Sequence, residues 1–248
     1  ILDNANIIIT ISKFTSKEFL DYGIPKEKII EIIPAVDFEI FKPLPKCSEL
    51  VEHFKIEKRK TILTISRLAE RKGHDVVLKA LPLVLKSVPN LSYLIVGDGP
   101  YKTHLMELCR ELKLNNFVTF VGFVPDKDLV KYYNLCDVFV MPNREIFDST
   151  DSVEGFGITF IEANACSKPV IGGKSGGAIE AVEDGVTGFL VDSQNDEEVA
   201  EKIICLLQNE ELARKMGEDG RKRVERDFSW EKRAHKLKEQ LTQEAFKA

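Results

Sequence analysis

The sequence predicts an α/β chain built on a doubly wound parallel sheet. Three observations carry this. Short apolar runs are continuous rather than alternating, as in strands covered on both faces. Segments of helical period separate almost every pair of runs. Glycine and polar residues gather where the runs end, and ligands bind at the carboxyl ends of strands in such sheets.

In chain order, "NIIITIS" reads as a strand, "KFTSKEFLDYG" as a helix closed by Gly23, and "KIIEIIPAVD" as a second strand. The proline-spaced stretch "FKPLPKCSEL" reads as a linker. Strands then follow at "KTILTISRL", "LSYLIVGDG", "FVTFVGFV", "DVFVMPN", "KPVIGG" and "TGFLVD". Helices are expected over 74–88, where Pro82 would kink the helix, and over 101–112, 126–136, 158–166, 178–184 and 197–209. The stretch after residue 210 carries charges of both signs and reads as helix with a solvated face. The expected organisation is a first unit over 1–40, a linker over 41–57, the sheet domain over 58–210, and C-terminal helices over 211–248.

Composition narrows the function. With 44% hydrophobic and 30% charged residues, the 248-residue chain is that of a globular protein with a full core. A net charge of −5 argues against a nucleic-acid partner, though local cations can still serve an anionic ligand. No apolar run approaches the roughly 18 residues of a membrane span. No leader-like segment opens the chain, whose first residue is Ile1, so it reads as a piece of a longer protein. Five scattered cysteines suit buried thiols, and the four histidines lack metal-ligand spacing, so no metal site is expected.

Chemistry-bearing residues cluster in the loops after the strands. Arg67, Arg71 and Lys72 lie in "SRLAERKG", and two or three cations at one strand end suit a diphosphate. The plainer reading of that spacing alone is a solvated basic turn. The run Gly97-x-Gly99-x-x-Lys102 lacks the third glycine of a dinucleotide fingerprint and reads as a tight turn. Asp126-Lys127-Asp128 has the form of a metal-binding DxD, but the preferred reading is a helix cap. In "SVEGFGITFIEANACSKPVIGGKSGG", Gly155 and Gly157 flank a helix start, whose free amides and dipole suit an anion. Glu154 and Glu162 lie eight residues apart, about 12 Å along a helix, which is too far for a glycosidase pair. Two carboxylates at that distance can grip hydroxyls at opposite ends of a nucleotide sugar. Exposure is hard to assume for Glu162 within the apolar "ITFIEANAC".

From "TILTISRLAERKGHD" to "FSWEKRAHKL", and more weakly back to "ISKFTSKEF", the chain resembles the C-terminal, donor-binding half of retaining GT-B glycosyltransferases. The group includes bacterial phosphatidylinositol mannosyltransferases. The most specific part is "EGFGITFIEANACSKPVIGGKSGGAIEAVEDGVTGFLV", an E-x7-E region with a glycine loop behind it. The resemblance implies one Rossmann-like lobe of a two-lobe enzyme, with residues 1–40 a remnant of the N-terminal acceptor lobe. It implies hexose transfer, mannose or similar, from a GDP or UDP sugar, with retention of configuration and no metal or other cofactor. Arg67 and Lys72 would bind the diphosphate, Glu154 the sugar hydroxyls and Glu162 the ribose. Amides near Gly157 and Ile158 would hold a phosphate, the turn at Gly97 would line the cleft, and the loop of Phe123 and Asp126 would meet the base. Asp126 could accept from both guanine N–H groups, which favours GDP. Arg67, Lys72 and Glu154 are the residues expected to serve catalysis.

The resemblance also implies a glycan or lipid acceptor bound by the other lobe, and a cytoplasmic location compatible with peripheral membrane association. Ala35 stands where the family usually has glycine before the valine-aspartate of the linker. The fragment alone is expected to bind donor without turnover and to expose apolar side chains in residues 1–40. The rival functions are a non-catalytic nucleotide-sugar module, a GT-B sugar-nucleotide epimerase and, more remotely, an NAD dehydrogenase.

Overall fold

The computed structural model describes residues 5–146 and 153–245. Positions 1–4, 147–152 and 246–248, which include part of the long polar loop ahead of Glu154, lie outside the described residues.

The first unit is a parallel pair, β1 (Ile8–Thr10) and β2 (Ile29–Glu31), joined by α1 (Lys13–Asp21). Ser12 and Thr15 form a capping box at the start of α1, and the carboxylate of Glu180 accepts from the amides of Lys13 and Phe14, each at 3.1 Å. A helix start leaves amides without partners, so this carboxylate fastens the unit to the rest of the chain. Ile9, Ile11, Leu20 and Tyr22 of this unit are exposed.

The proline-spaced stretch holds a helix that its composition hides, α2 (Ser48–Phe54). Its proline-rich part is sewn down by Asn134, which accepts from the Leu44 amide at 2.8 Å and donates to the Lys42 carbonyl at 3.0 Å. Arg221 adds three bonds from one nitrogen, to the carbonyls of Phe38, Phe41 and Ala165.

Six strands form the main sheet: β3 (Lys60–Ile65), β4 (Leu91–Val96), β5 (Val118–Gly122), β6 (Val138–Met141), β7 (Val170–Gly173) and β8 (Gly188–Val191). All pairings are parallel, in the order β5-β4-β3-β6-β7-β8. The helices between them are α3 (His74–Ser87), α4 (Lys102–Glu111), α5 (Asp126–Leu135), α6 (Ile158–Ala165) and α7 (Ala178–Ala181). After β8 come α8 (Asp196–Gln208), α9 (Glu210–Asp227) and α10 (Trp230–Ala245). Successive strand residues serve opposite faces. Ile62, Tyr93, Val138 and Val140 pack under α3, α4 and α8, while Leu63, Leu94, Phe139 and Met141 pack under α5, α6 and α7. This two-sided burial explains the unbroken apolar runs.

Pro82 lies on the solvent side of α3, which runs through it to Ser87. Three other expectations need correction. The helix expected over 178–184 closes at Ala181. The second strand of the first unit spans three residues only. In the charged C-terminal stretch, α9 is more than a solvated face: Gly217 and Gly220 let it press against the backbone of Ser167 and the side chain of Asn164. Among the described residues, no helix is long and apolar enough to cross a membrane.

Glycine at the strand ends permits backbone-on-backbone packing. A Cβ on Gly97 would stand 2.0 Å from the Ser66 carbonyl oxygen, and one on Gly173 would stand 1.8 Å from that of Asn143. A Cβ on Gly177 would meet the Gly155 carbonyl at 2.0 Å, and the Gly177 amide donates to Glu154 O at 2.8 Å. The second glycine cluster therefore lies directly on the first. Asn143 staples it there, accepting from Gly173 N and donating to Ser175 O, both at 3.1 Å.

His74, at the start of α3, is fully buried with Nε2 3.1 Å from Ser66 Oγ, and its Nδ1 has no partner among the described residues. Burial first, and then the charge of Lys72, lower its pKa to about 3.

Two outcomes follow from this packing. Gly177→Ala should cost about 1–3 kcal/mol by forcing the two glycine loops apart. Gly185→Ala, where a Cβ meets nothing within 4 Å, should cost only about 1 kcal/mol through its positive φ. Urea melts of the two variants compare them. For His74, the unfolded chain takes up a proton near pH 6.5 that the folded chain refuses until about pH 3. Stability is therefore complete above pH 6.5 and falls with pH below it, by about 2 kcal/mol at pH 5. His74→Gln should lose that much less between pH 7.5 and pH 5 in the same melts.

Candidate functional site

The chain leaves β3 in one direction along the sheet and β6 in the other, so the loops after these neighbouring strands diverge and open a crevice. After β3, Ser66 and Arg67 lead into a 3-10 turn, Glu70–Lys72, closed by Gly73 in the left-handed region. That turn aims Lys72 inward while Arg67 stays exposed on the same loop.

Lys72 and Glu154 are each 9% exposed. The Lys72 ammonium bonds Glu154 Oε2, and Arg71 Nη1 reaches the same oxygen at 3.1 Å. A buried carboxylate needs such partners, because its desolvation is otherwise uncompensated. The pairing joins the loop after β3 to the loop before α6. Arg144 makes a second join. Its guanidinium forks onto Asp75 at 3.0 and 3.2 Å and reaches Glu70 at 3.3 Å, and its amide donates to Arg71 O at 2.8 Å.

Helix α6 opens at Gly157, whose φ of 90° allows the turn and whose missing Cβ clears the Phe160 ring. No side chain caps this end, and Ile158 is half exposed. The first amides and the dipole of α6 thus point into the crevice beside Glu154. Glu162, one turn farther on, is half-buried and accepts from the Tyr133 hydroxyl at 2.6 Å. Burial raises its pKa, with the Tyr133 bond opposing and the nearby Asp126 charge adding.

Asp126 lies exposed in the first turn of α5, after the 78% exposed Phe123. The cap expected of it is not made: Pro125 occupies the cap position without a side-chain bond, and Asp128 pairs with Lys131 at 2.7 Å. Gly97 rests its turn on Ser66, and its amide reaches Gly122 O at 2.8 Å, so the three loops carrying Arg67, Gly97 and Phe123 share one framework. Among the described residues, no three His, Cys, Asp or Glu side chains gather as metal ligands would.

The structure brings Lys72 onto Glu154 directly and places Asp126 within electrostatic reach of Glu162. Sequence reasoning missed three positions. Asn143 and Arg144 follow a strand end at the crevice, a signal available in principle. Tyr133 meets Glu162 across 29 residues, and nothing local marks it.

The model of the glycosyl transferases group 1 family matches residues 48–223. A GDP-mannose-dependent alpha-(1-6)-phosphatidylinositol monomannoside mannosyltransferase of Mycobacterium tuberculosis is 36% identical over 95% of this chain and 61% of its own length. A GDP-mannose-dependent monoacylated alpha-(1-6)-phosphatidylinositol monomannoside mannosyltransferase of Corynebacterium glutamicum is 34% identical over 91% of this chain and 59% of that protein. The chain thus spans about three-fifths of the curated relatives it matches. Among solved structures, Anabaena HepE in complex with UDP and glucose superposes with a TM-score of 0.87 at 25% identity, over 96% of this chain and 63% of that one. The sucrose-phosphate synthase of Thermosynechococcus elongatus gives 0.84 at 27% identity, over 100% and 60%. With the whole main sheet inside the matched family and its strands in the GT-B arrangement, the chain belongs to the group 1 glycosyl transferases.

Proposed function

We propose that this chain is the nucleotide-sugar donor-binding part of a retaining hexosyltransferase that works without a metal. The observation that carries the reading is the buried Glu154 carboxylate, held by Lys72 and Arg71 at the uncapped start of α6, with Glu162 on the same helix.

In this reading Arg67 and Lys72 grip the diphosphate. An ammonium has three donors, so Lys72 can keep Glu154 while it takes a phosphate oxygen. The amides at Gly157 and Ile158 hold the same anion. Glu154 accepts from hydroxyls of the transferred sugar, and Glu162 from those of the ribose. The turn at Gly97 lines the cleft, and Phe123 and Asp126 meet the base. GDP-mannose is the favoured donor, because Asp126 matches the two N–H groups of guanine and the mannosyltransferase relatives are GDP-mannose-dependent by name. Charge developing on the departing diphosphate is stabilised by preorganised cations and helix amides, which supply what a metal would otherwise bring. A departing phosphate oxygen then takes the acceptor hydroxyl's proton on the same face of the sugar, which retains configuration. A glycan or lipid acceptor, held by a second lobe at the inner membrane surface, completes the proposal.

A calorimetric series on this chain against guanosine, GDP, UDP and GDP-mannose tests it. Arg67→Ala and Lys72→Ala should weaken GDP by about 1.5–3 kcal/mol, the scale of a charge-assisted bond, and guanosine by much less. Glu162→Gln should weaken guanosine and GDP alike. Glu154→Gln should spare GDP and weaken only GDP-mannose, and EDTA should change nothing. Parent-like GDP binding by both cation variants, or loss of binding in EDTA, would overturn the reading.

A further inference from the structure

Tyr133 takes no part in the residue roles above, yet it makes a short bond to the site. Its side chain is fully buried, its hydroxyl donates to Glu162 Oε2 at 2.6 Å, and its ring is fixed on two sides. Phe139 of β6 packs at a centroid distance of 5.8 Å, and Phe41 of the linker meets it edge-on at 5.8 Å. The next residue, Asn134, ties down the linker backbone at Lys42 and Leu44. One turn of α5 therefore holds the linker with one residue and, with its neighbour, touches both the linker and the carboxylate.

We infer that Tyr133 is a positioning residue that presents Glu162 to the donor's ribose and makes that carboxylate respond to the seat of the linker. The inference rests on the ribose role proposed for Glu162. A carboxylate on a helix can swing about its side-chain torsions, and a donor fixed by packing selects one orientation. With Oε2 held by Tyr133, the remaining lone pairs of the carboxylate are directed to an incoming ligand. The same bond favours the ionised form, which is the better acceptor for ribose hydroxyls.

The titratable and charged groups around Glu162 are Asp126 and Tyr133 on α5 and Cys166 on its own helix. Arg221 of α9 bonds the Ala165 carbonyl and, with Lys168, acts on Cys166, while Glu180 of α7 is engaged at α1. Burial and Asp126 both push the Glu162 proton affinity up, and only the Tyr133 bond pulls it down. Losing that bond therefore moves the carboxyl toward protonation. Moving the ring, by emptying the place of Phe41, acts in the same direction.

The test compares the parent with Tyr133→Phe, Phe41→Ala and Glu162→Gln. In ligand-free protein, carbon NMR of the Glu162 carboxyl should show proton affinity raised about threefold or more in Tyr133→Phe, and raised measurably in Phe41→Ala. Guanosine affinity at pH 8 should fall about five- to twenty-fold in Tyr133→Phe. Its loss on acidification should begin at higher pH than in the parent, whereas Glu162→Gln should bind weakly at every pH. A purely structural tyrosine would lower the melting temperature without moving the carboxyl titration. If Glu162→Gln weakens guanosine while Tyr133→Phe leaves both titration and affinity as in the parent, the positioning role is overturned and the ribose reading stands. An unmoved titration in Phe41→Ala overturns the link to the linker. If Glu162→Gln binds guanosine like the parent, the ribose reading fails and the presentation role fails with it.

Discussion

The contact on which the crevice depends is the buried pair between Lys72 and Glu154. Charges withdrawn from water need partners to offset their desolvation, and Arg71 shares the Glu154 carboxylate with Lys72. The pair spans two loops separated by 82 residues, so the path of the chain after β3 and the path before α6 are set together. Around it the structure supplies only what lets those loops approach. Gly97, Gly173 and Gly177 remove side chains where backbones meet, and Asn143 and Arg144 bond the edges. Hydrophobic burial under the sheet makes the platform stable but does not choose the position of a loop. Directional bonds and close backbone contact do that here.

Much of the fold was legible because its signals are local. The unbroken runs at β3, β4, β6 and β7 reflect cover on both faces, and the glycines at strand ends mark loops. What stayed hidden depends on partners distant in sequence. Helix α2 follows a run of prolines and lysines and has no fully buried residue, so its short stripe of Leu50, Val51 and Phe54, partly buried against the core, is a weak signal. The contacts of α9 run through Gly217 and Gly220, residues that lower helix propensity and look like interruptions until the surface they meet is known.

The site divides in the same way. Glu154, Lys72 and Glu162 could be singled out from spacing and from their apolar neighbours. The burial of Lys72 against Glu154 could not, because nothing in "SRLAERKG" says that Lys72 and Arg71 turn inward while Arg67 stays exposed. The 3-10 turn ending at Gly73 makes that choice by geometry. Asp126 shows the reverse error. A carboxylate at a helix start is a sound cap signal, but Pro125 takes the cap position and leaves Asp126 facing solvent in the first turn. Tyr133 was beyond reach, since an aromatic at the end of an amphipathic helix is ordinarily core.

The carboxylate of Glu180 bears on how the chain acquires its structure. The capping box of Ser12 and Thr15 lets α1 begin on its own, but the amides of Lys13 and Phe14 find their acceptor 167 and 166 residues later. A contact that remote forms only after most of the intervening chain has been ordered, because loop closure must come first. The strand-helix-strand unit precedes the sheet domain along this chain, so its bonds to Glu180 wait until α7 exists. The tie of α1 to the sheet domain is therefore among the last of the described contacts to settle, whatever the capping box achieves locally.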